Sequence, residues 1–387
     1  MGFQAMIVVT DWLAFDITKS EFQLGAVLLA GGIGQTLAAP IGGILADRFD
    51  HRRQIVAMQA AILGNAVILA VLTATDRIEL WHLFASAGLF GITMSLHMPA
   101  NMSFVFNQAG RDQIANALAL NSGMVSVVRL AGPAIGGVLI GQTGPASVYM
   151  LCVGAYVSSI LILTMWSWPK EEHQPISKDT SAIKEYVSGL SYAMGNPTLR
   201  WLIIALVGLS LIGLPFRDLL PAYADVLGLG PEGFGLLLSM AGLGSLIGSL
   251  VIAAKAKVST MPTLLTVLGI AWAGSLVLLA IAPTMWAAIP ILVLIGAVST
   301  GYNTMNNILV QMTVDGAYRG RVLSIIMFTF GLHLVGAVAI GAMAEFTGIR
   351  WAFVATGLTQ FAFIGYVGLV AKKKGMAAGT KAPPSNC

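Results

Sequence analysis

Eleven stretches of this chain are apolar for about 20 residues or more and contain few charged residues. A helix of about 20 apolar residues crosses the roughly 30 Å of hydrocarbon in a bilayer. Composition agrees, because 57% of the residues are hydrophobic and only 10% are charged, whereas soluble domains carry about a quarter charged residues. The sequence therefore predicts an all-α polytopic membrane protein.

Marking the apolar stretches predicts twelve spans, of which the first is short. They cover residues 1–17, 22–46, 54–75, 80–106, 117–141, 146–168, 199–220, 233–254, 262–282, 286–310, 321–344 and 351–371. Ser20 and Gln23 have the spacing of a capping box ahead of the second span. The first span measures only about 25 Å as a helix, so we expect it to be a truncated form of a longer span.

The basic residues predict the orientation of the chain in the membrane. Sixteen of the 21 Lys and Arg residues fall in gaps on one side, and four, Lys19, Arg77, Arg217 and Arg350, lie on or near the other. The positive-inside rule makes the first side cytoplasmic. We therefore expect a multi-pass plasma-membrane protein with a cytoplasmic C-terminus. The excess of basic residues then reflects topology, and no nucleic-acid partner is predicted.

A long polar gap divides the spans into six and six, and glycines repeat across it. The expected domains are an N-terminal bundle at 1–168, a cytoplasmic linker at 169–198, a C-terminal bundle at 199–371 and a cytoplasmic tail at 372–387. Three nearly equal shifts relate the two halves. A shift of 210 residues aligns Gly25, Gly32 and Gly34 with Gly235, Gly242 and Gly244. A shift of 204 aligns Gly132, Gly137, Gly144 and Arg129 with Gly336, Gly341, Gly348 and His333. A shift of 205 aligns Gly91 and Asn101 with Gly296 and Asn306.

The charged stretch after the second span carries a recognisable motif. Residues 43–53 read GILADRFDHRR. Together with the two six-span repeats, this stretch resembles the signature G-x-L-a-D-r-x-G-r-R of the major facilitator superfamily, and it departs from that signature at Asp50. The stretches TKSEFQLG, MPANMSF, NALALNS, RLAGPAIGG and RGRVLS resemble the branch that contains macrolide and siderophore exporters. The resemblance implies a twelve-span secondary transporter with a small-molecule substrate.

Two groups of residues are expected to act in gating. Asp47 ends the second span, where a carboxylate is stabilised by the N-terminus of a neighbouring helix; in the family that neighbour is span 11. The signature residues Gly43, Asp47, Arg48, Arg52 and Arg53 are thus expected to latch the cytoplasmic side, although the arginines alone would also enforce topology. A second group, Gly132, Pro133, Gly136 and Gly137, resembles the span 5 motif of exporters and predicts tight or sliding helix contacts. Ordinary packing of small residues is the alternative.

Polar and charged residues inside the spans are candidates for the transport path. Arg129 lies near the midplane and Asp11 is the one acid expected well inside a span, where charge is costly without a partner or water. Arg129 is expected to repel a proton from His333 or to hold Asp11 ionised. The alternatives are a packed neutral histidine and an aspartate at the water interface. The remaining candidates, His97, Asn101, Asn303 and Asn306, either line the path or bridge helices.

These observations predict an exporter of a small amphipathic molecule that works by alternating access and proton antiport, as a monomer. An importer or facilitator of the same fold and a non-transporting membrane sensor or scaffold are the alternatives. The sequence contains no phosphate-binding loop of the Walker type and no recognisable nucleophile–base arrangement. Its two cysteines, Cys152 and Cys387, suit neither a disulfide nor a metal cluster. We therefore expect no enzyme activity, catalytic residue, cofactor or metal, and as partners the substrate, protons and the bilayer.

Overall fold

The computed structural model describes residues 2–48, 50–166, 182–255, 261–315 and 318–373, without the side chains of 39–48, 105–123 and some others inside these helices. Thirteen α-helices account for most of this part of the chain. They are α1 (Gly2–Thr18), α2 (Glu21–Arg48), α3 (His51–Ala74), α4 (Leu80–Thr143), α5 (Pro145–Met165), α6 (Ala182–Gly195), α7 (Pro197–Ile212), α8 (Leu220–Val226), α9 (Pro231–Lys255), α10 (Met261–Ile281), α11 (Met285–Thr313), α12 (Arg319–Thr347) and α13 (Ile349–Lys373). The described residues contain no strand, and the predicted all-α class is confirmed.

Helix α4 contains two of the predicted spans. Its hydrogen bonding continues from Leu80 to Thr143, but the chain reverses within it. Phe90 stacks on Phe3 with ring centroids 5.3 Å apart, and Gly132 packs against the next residue, Gln4. In a straight helix Phe90 and Gly132 would lie about 60 Å apart. The two halves of α4 therefore pack on either side of α1.

Counting α4 as two crossings and α7 with α8 as one gives the twelve predicted crossings, with α6 left over. Eight of the described helical segments are long and apolar enough to cross a membrane. The predicted capping box is partly formed, because the Ser20 hydroxyl accepts a hydrogen bond from Gln23 N at 3.2 Å. Pro231 opens α9 and Pro262 lies in the first turn of α10, where proline costs no hydrogen bond.

The seventh crossing differs from the prediction. We predicted an uninterrupted span at 199–220, but α7 ends at Ile212, a short 3₁₀ turn covers Leu214–Phe216, and α8 begins at Leu220. The apolar segment continues to Val226. Pro215 and Pro221 explain the interruption, because each removes a backbone donor from the helix. Irregular backbone at membrane depth occurs where protein or a cavity can satisfy it.

The packing of the helices divides the chain into two compact units. The first comprises the described residues of 1–180, 217–239 and 337–349, and the second those of 181–216, 240–336 and 350–387. These units are groups of helices that pack closely together, and each is discontinuous in sequence. The separate prediction of bundles at 1–168 and 199–371, joined by a linker at 169–198 and followed by a tail at 372–387, stays a prediction.

Helix contacts inside each unit repeat the glycine pattern of the sequence. In the first unit, a methyl group on Gly91 would meet the carbonyl oxygen of Gly31. In the second unit, a methyl group on Gly296 would meet the carbonyl oxygen of Ala241. The shifts of 205 and 210 relate these two contacts, and the same shifts relate the Gly34–Gly88 contact to the Gly244–Val293 contact. The two halves of the sequence therefore form equivalent helix contacts, as expected of repeats.

Candidate functional site

Asp11 is a buried acid in the middle of α1, and its side chain is 6% exposed. Helix α1 packs against α8, so the chain just before α8 comes close to it. The carboxylate of Asp218 repels the Asp11 carboxylate, and the guanidinium of Arg217 attracts it. An acid at this depth is expensive without such a partner. The break between α7 and α8 thus supplies both charges that act on Asp11.

Arg129 lies in the part of α4 that packs beside α1. Gly132 packs on Gln4 and Gly136 packs on Val8, so this part of α4 runs parallel to α1. Arg129 is therefore level with the start of α1, about 15 Å from Asp11 along the helices. Its charge acts on Arg217. Arg217, rather than Arg129, is the cation that acts on Asp11.

The sequence interpretation overlooked Arg217 and Asp218 as site residues. The sequence places Arg217 on or near the outer side, because the seventh span was expected to end at residue 220. A signal was present, since these two charges lie within an apolar segment that runs on to Val226. The rule that singled out Arg129 and Asp11, that a charge inside a span is a functional candidate, applies equally to this pair.

The signature residues are described only in part. The side chains of Gly43, Asp47 and Arg48 lie outside the described set, so the proposed latch at Asp47 stays a prediction. Asp50, where the signature departs from glycine, is the N-cap of α3 and accepts a hydrogen bond from Arg53 N at 2.8 Å. Aspartate is a favoured residue at that position. The departure therefore strengthens the start of α3.

Arg52 binds the end of a helix. Its guanidinium donates to the carbonyl oxygens of Leu163 and, at 2.9 Å, of Thr164, in the last turn of α5. The last carbonyls of a helix lack partners within the helix and favour a cation. Arg53 is exposed. In this conformation Arg52 therefore ties the start of α3 to the end of α5.

The glycine–proline motif packs against two helices. Gly132 and Gly136 lie against α1, as described above, and Gly137 lies against α9. A methyl group on Gly137 would be 2.9 Å from the Cα of Gly235 and 2.5 Å from the carbonyl oxygen of Pro231. Pro133 contributes its carbonyl oxygen to the same contact with Gly235. The small face predicted for this motif is thus used for close helix packing on both sides.

An equivalent contact joins α2 and α12. A methyl group on Gly25 would be 2.9 Å from the carbonyl oxygen of Ala337, and one on Gly341 would be 2.5 Å from that of Glu21. The shifts of 204 and 210 convert the contacts of Gly235 and Gly137 into these two. We call the end of the helices where α1 ends and α2 begins the α1–α2 end. Two repeat-related glycine contacts close the helices together there.

Polar groups add to this closure at the α1–α2 end. The Ser20 hydroxyl donates to Glu345 Oε2 at 2.8 Å, which joins the start of α2 to the last turns of α12. Lys19 Nζ lies 2.8 Å from Asp16 Oδ1 and 3.6 Å from Asp225 Oδ1. Both of these ion pairs are exposed, so each contributes little to stability. The ion pairs help to align α1 with α8, and the Ser20–Glu345 hydrogen bond helps to align α2 with α12.

His97 lines a small cavity between α1, α3, α4 and α5. The cavity has a volume of about 200 Å³, and Gln59, Tyr156 and Ser159 give it a polar lining. The Gln59 Oε1 atom is buried without a hydrogen-bond partner among the described residues. The cavity is large enough for water molecules. Asn101 lies about one turn beyond His97 on α4 and is half-buried.

The candidates in the second unit have separate environments. Asn306 is fully buried and donates to the carbonyl oxygen of Leu202 at 3.2 Å, so it bridges α11 to α7. Asn303 is half-buried and donates to Ser299 O of its own helix at 2.9 Å. His333 is half-buried in α12. A role for these three residues in the substrate path stays a proposal.

Comparison with solved structures supports the fold. The nucleoside transporter NupG superposes with a TM-score of 0.75 at 12% identity, covering 95% of this chain and 96% of that one. A bacterial homologue of the lysosomal transporter Spinster, in an inward-facing and unoccupied conformation, gives 0.73 at 14% identity, covering 96% and 95%. At these identities the likeness concerns the fold alone.

Sequence relatives and a family model extend the comparison. The chain is 25% identical to the multidrug efflux pump Tap of Mycolicibacterium fortuitum, over 91% of this chain and 88% of that protein. It is 22% identical to the staphyloferrin A transporter of Staphylococcus aureus, over 90% and 87%, and 26% identical to the enterobactin exporter EntS of Escherichia coli, over 79% and 73%. The model for the family described as transmembrane secretion effectors matches residues 1–383. The chain therefore belongs to the transmembrane secretion effectors of the major facilitator superfamily, and it is a multi-pass membrane transporter protein.

Proposed function

We propose that this protein is a secondary transporter that exports a small amphipathic molecule in exchange for protons. Two of the relatives are named as exporters or efflux pumps, which supports the outward direction. The charge distribution of the sequence supports a plasma-membrane location with a cytoplasmic C-terminus. The observation that carries proton coupling is the buried Asp11 beside the interrupted seventh crossing.

Proton exchange needs a group whose proton affinity differs between the two facing states. Asp11 meets this requirement because its charge interacts with one cation and one anion, Arg217 and Asp218. Both follow an irregular segment rather than sitting within a continuous helix. A small movement of that segment changes both distances, and through them the proton affinity of Asp11. Arg217 itself stays charged, so its role is to position and compensate the carboxylate.

Alternating access needs two discrete packings of the helices. The repeat-related glycine contacts at the α1–α2 end provide one closed packing, in which backbones touch without intervening side chains. The second closure of this proposal is the Asp47 region at the other end, where the carboxylate would be stabilised by the N-terminus of span 11. We propose that one closure is formed while the other is open, so that the transporter opens to one side at a time. Substrate and proton then cross the membrane only by this alternation, which makes their exchange obligatory.

Asp11→Asn and His333→Gln test the coupling in proteoliposomes. The substrate is first chosen from a panel of antibiotics and iron chelators as a compound that raises the melting temperature of the purified chain. A carrier variant loses uptake driven by a proton gradient but keeps counterflow, which needs no net proton movement. Asp76→Asn is the control, because Asp76 is an exposed aspartate that takes no part in the ion pairs at the α1–α2 end.

The outcomes separate the parts of the proposal. We expect Asp11→Asn to lose gradient-driven transport by at least tenfold while counterflow is retained, and His333→Gln to behave like Asp76→Asn. Retention of gradient-driven transport by Asp11→Asn would disprove this coupling mechanism, and loss in His333→Gln alone would identify His333 as the carrier instead. Transport that proceeds down the substrate gradient at the same rate with and without a proton gradient would identify a facilitator instead.

A further inference from the structure

The second unit contains an apolar cavity that the transport mechanism does not use. It has a volume of about 530 Å³ and lies between α6, α7, α12 and α13. Helix α6 contributes Tyr186, Leu190 and Met194, which are spaced about one turn apart. The hydroxyl of Thr329, which also lines the cavity, already donates to Ile326 O of its own helix at 2.7 Å. The cavity therefore suits a hydrocarbon chain better than a polar molecule.

Two arginines lie at one end of this cavity. Arg200 precedes the lining residue Ile204 by one turn of α7, and Arg321 precedes the lining residue Ile325 by one turn of α12. The Arg321 guanidinium donates to Ser188 of α6 at 3.2 Å. Arg200 is half-buried and has no acidic partner among the described residues. Arg321 is therefore held against α6 beside the cavity, and Arg200 lies one turn of α7 before the lining residue Ile204.

Helix α6 places this end at the level of the lipid headgroups. With 14 residues, it measures about 21 Å and is too short to span the hydrocarbon. Val187 and Leu190 of α6 are nevertheless 55% and 36% exposed. A short helix with exposed apolar residues is typical of the membrane interface. The cavity beneath α6 then opens from the headgroup region toward the hydrocarbon.

An apolar cavity with two arginines one helical turn beyond its lining residues matches an amphipathic anion. Arginine binds phosphate through two parallel hydrogen bonds. The surrounding bilayer supplies a molecule with one phosphate and long acyl chains at high local concentration. We propose that the cavity between α6, α7, α12 and α13 binds one anionic phospholipid of the bilayer, with an acyl chain inside and its phosphate at Arg200 and Arg321.

Native mass spectrometry of the purified full chain tests the proposal with phosphatidylglycerol, phosphatidylcholine and palmitate as probes. We expect one retained phosphatidylglycerol, and at least tenfold weaker retention of the other two. Ile204→Trp fills the cavity and should abolish retention, whereas Leu278→Trp, at an exposed position of α10, should not. Arg200→Gln should weaken retention of phosphatidylglycerol by at least tenfold, whereas Arg77→Gln, at an exposed position outside the cavity, should leave it unchanged.

Several results would overturn the proposal. If phosphatidylcholine is retained as well as phosphatidylglycerol, the net charge of the lipid plays no part in binding. If palmitate is retained as well as phosphatidylglycerol, the phosphate plays no part. Retention that survives Ile204→Trp places the lipid elsewhere. If Ile204→Trp fails to fold, the test rests on the comparison of Arg200→Gln with Arg77→Gln, and equal retention of phosphatidylglycerol by these two variants would contradict the proposal. Competitive displacement of the lipid by a transported compound would assign the cavity to the substrate and contradict the lipid proposal.

Discussion

Gly137 and Gly235 lie so close that a methyl group added to either residue would be 2.9 Å from the Cα of the other. Real Cβ atoms do not approach a neighbouring backbone this closely. The two positions must therefore be occupied by glycine for α4 and α9 to pack as they do. The shifts of 204 and 210 relate the contact between Gly137 and Pro231 to the one between Gly341 and Glu21 of α12 and α2, so the same kind of contact occurs twice at the α1–α2 end.

Gly235→Ala should disrupt this closure. Its methyl group would overlap the Pro133 carbonyl oxygen, and overpacking of this kind costs about 1–3 kcal/mol. We expect the melting temperature of the purified protein to fall by several degrees and transport to decline. Gly64→Ala is the control, because nothing lies within 4 Å of its added methyl group and alanine favours a helix interior. Equal melting temperatures for the two variants would contradict the contact.

Glu21→Gln should change how stability depends on pH. Burial at the α1–α2 end, and then the nearby Glu345, raise the pKa of Glu21 above its ordinary value of 4.5. A carboxyl group with a raised pKa favours the folded state when protonated, so ionised Glu21 lowers stability at pH values above the raised pKa. We expect Glu21→Gln to melt at a higher temperature than the unmodified protein at pH 7.5. This difference should shrink as the pH falls through the raised pKa toward 4.5.

The matched control for that measurement is Glu79→Gln, since Glu79 is an exposed glutamate at the start of α4. Its melting temperature should differ little from that of the unmodified protein at either pH. A constant difference between Glu21→Gln and the unmodified protein from pH 7.5 to 4.5 would show that the carboxyl group of Glu21 does not titrate in this range.

Arg52→Gln and Asp47→Asn should have different effects, although both residues belong to the signature. Arg52 binds the last carbonyls of α5, and hydrogen bonds from a charged donor contribute about 1.5–3 kcal/mol. Arg52→Gln should therefore lower the melting temperature. Asp47→Asn should leave the melting temperature nearly unchanged and reduce transport more than substrate binding. Normal transport by Asp47→Asn would favour the interpretation that the charged stretch only sets topology.

Single cysteines should reveal the orientation of the chain. In a variant with Cys387 replaced by serine, Arg53→Cys should resist an impermeant thiol reagent in intact cells, and Glu232→Cys should react. Both positions are exposed, whereas the remaining natural cysteine, Cys152, is buried. Reaction of both introduced cysteines from outside, or of Arg53→Cys alone, would contradict the orientation derived from the basic residues.

The positions of most helices could be predicted from the hydrophobicity of the sequence. Membrane-spanning helices satisfy their own backbone hydrogen bonds, so long apolar stretches identify them without tertiary information. The repeat was also predictable, because the same close contacts need glycine in both halves. Helix α6 was not predicted. Its apolar residues, among them Tyr186, Leu190 and Met194, recur at helical spacing, but the polar gap around them was interpreted as a linker.

The candidate site was less predictable than the fold. Asp11 could be singled out by its depth in an apolar helix, but its partners depend on how α1 packs against α8. The repeat shifts paired Arg129 with His333, and that pairing says nothing about which charge approaches Asp11. Arg217 and Asp218 belong to a segment whose end is displaced by two prolines. A count of apolar residues does not show where such a helix stops and resumes.

The interruption between α7 and α8 has a mechanical consequence. A continuous helix transmits rotation along its axis, because every turn is hydrogen-bonded to the next. Between Gly213 and Leu219 the regular α-helical hydrogen bonding is interrupted by a short 3₁₀ turn. Torsion of α7 about its own axis is therefore not imposed on α8. Arg217 and Asp218 are able to keep their register with Asp11 while the first part of the same crossing turns.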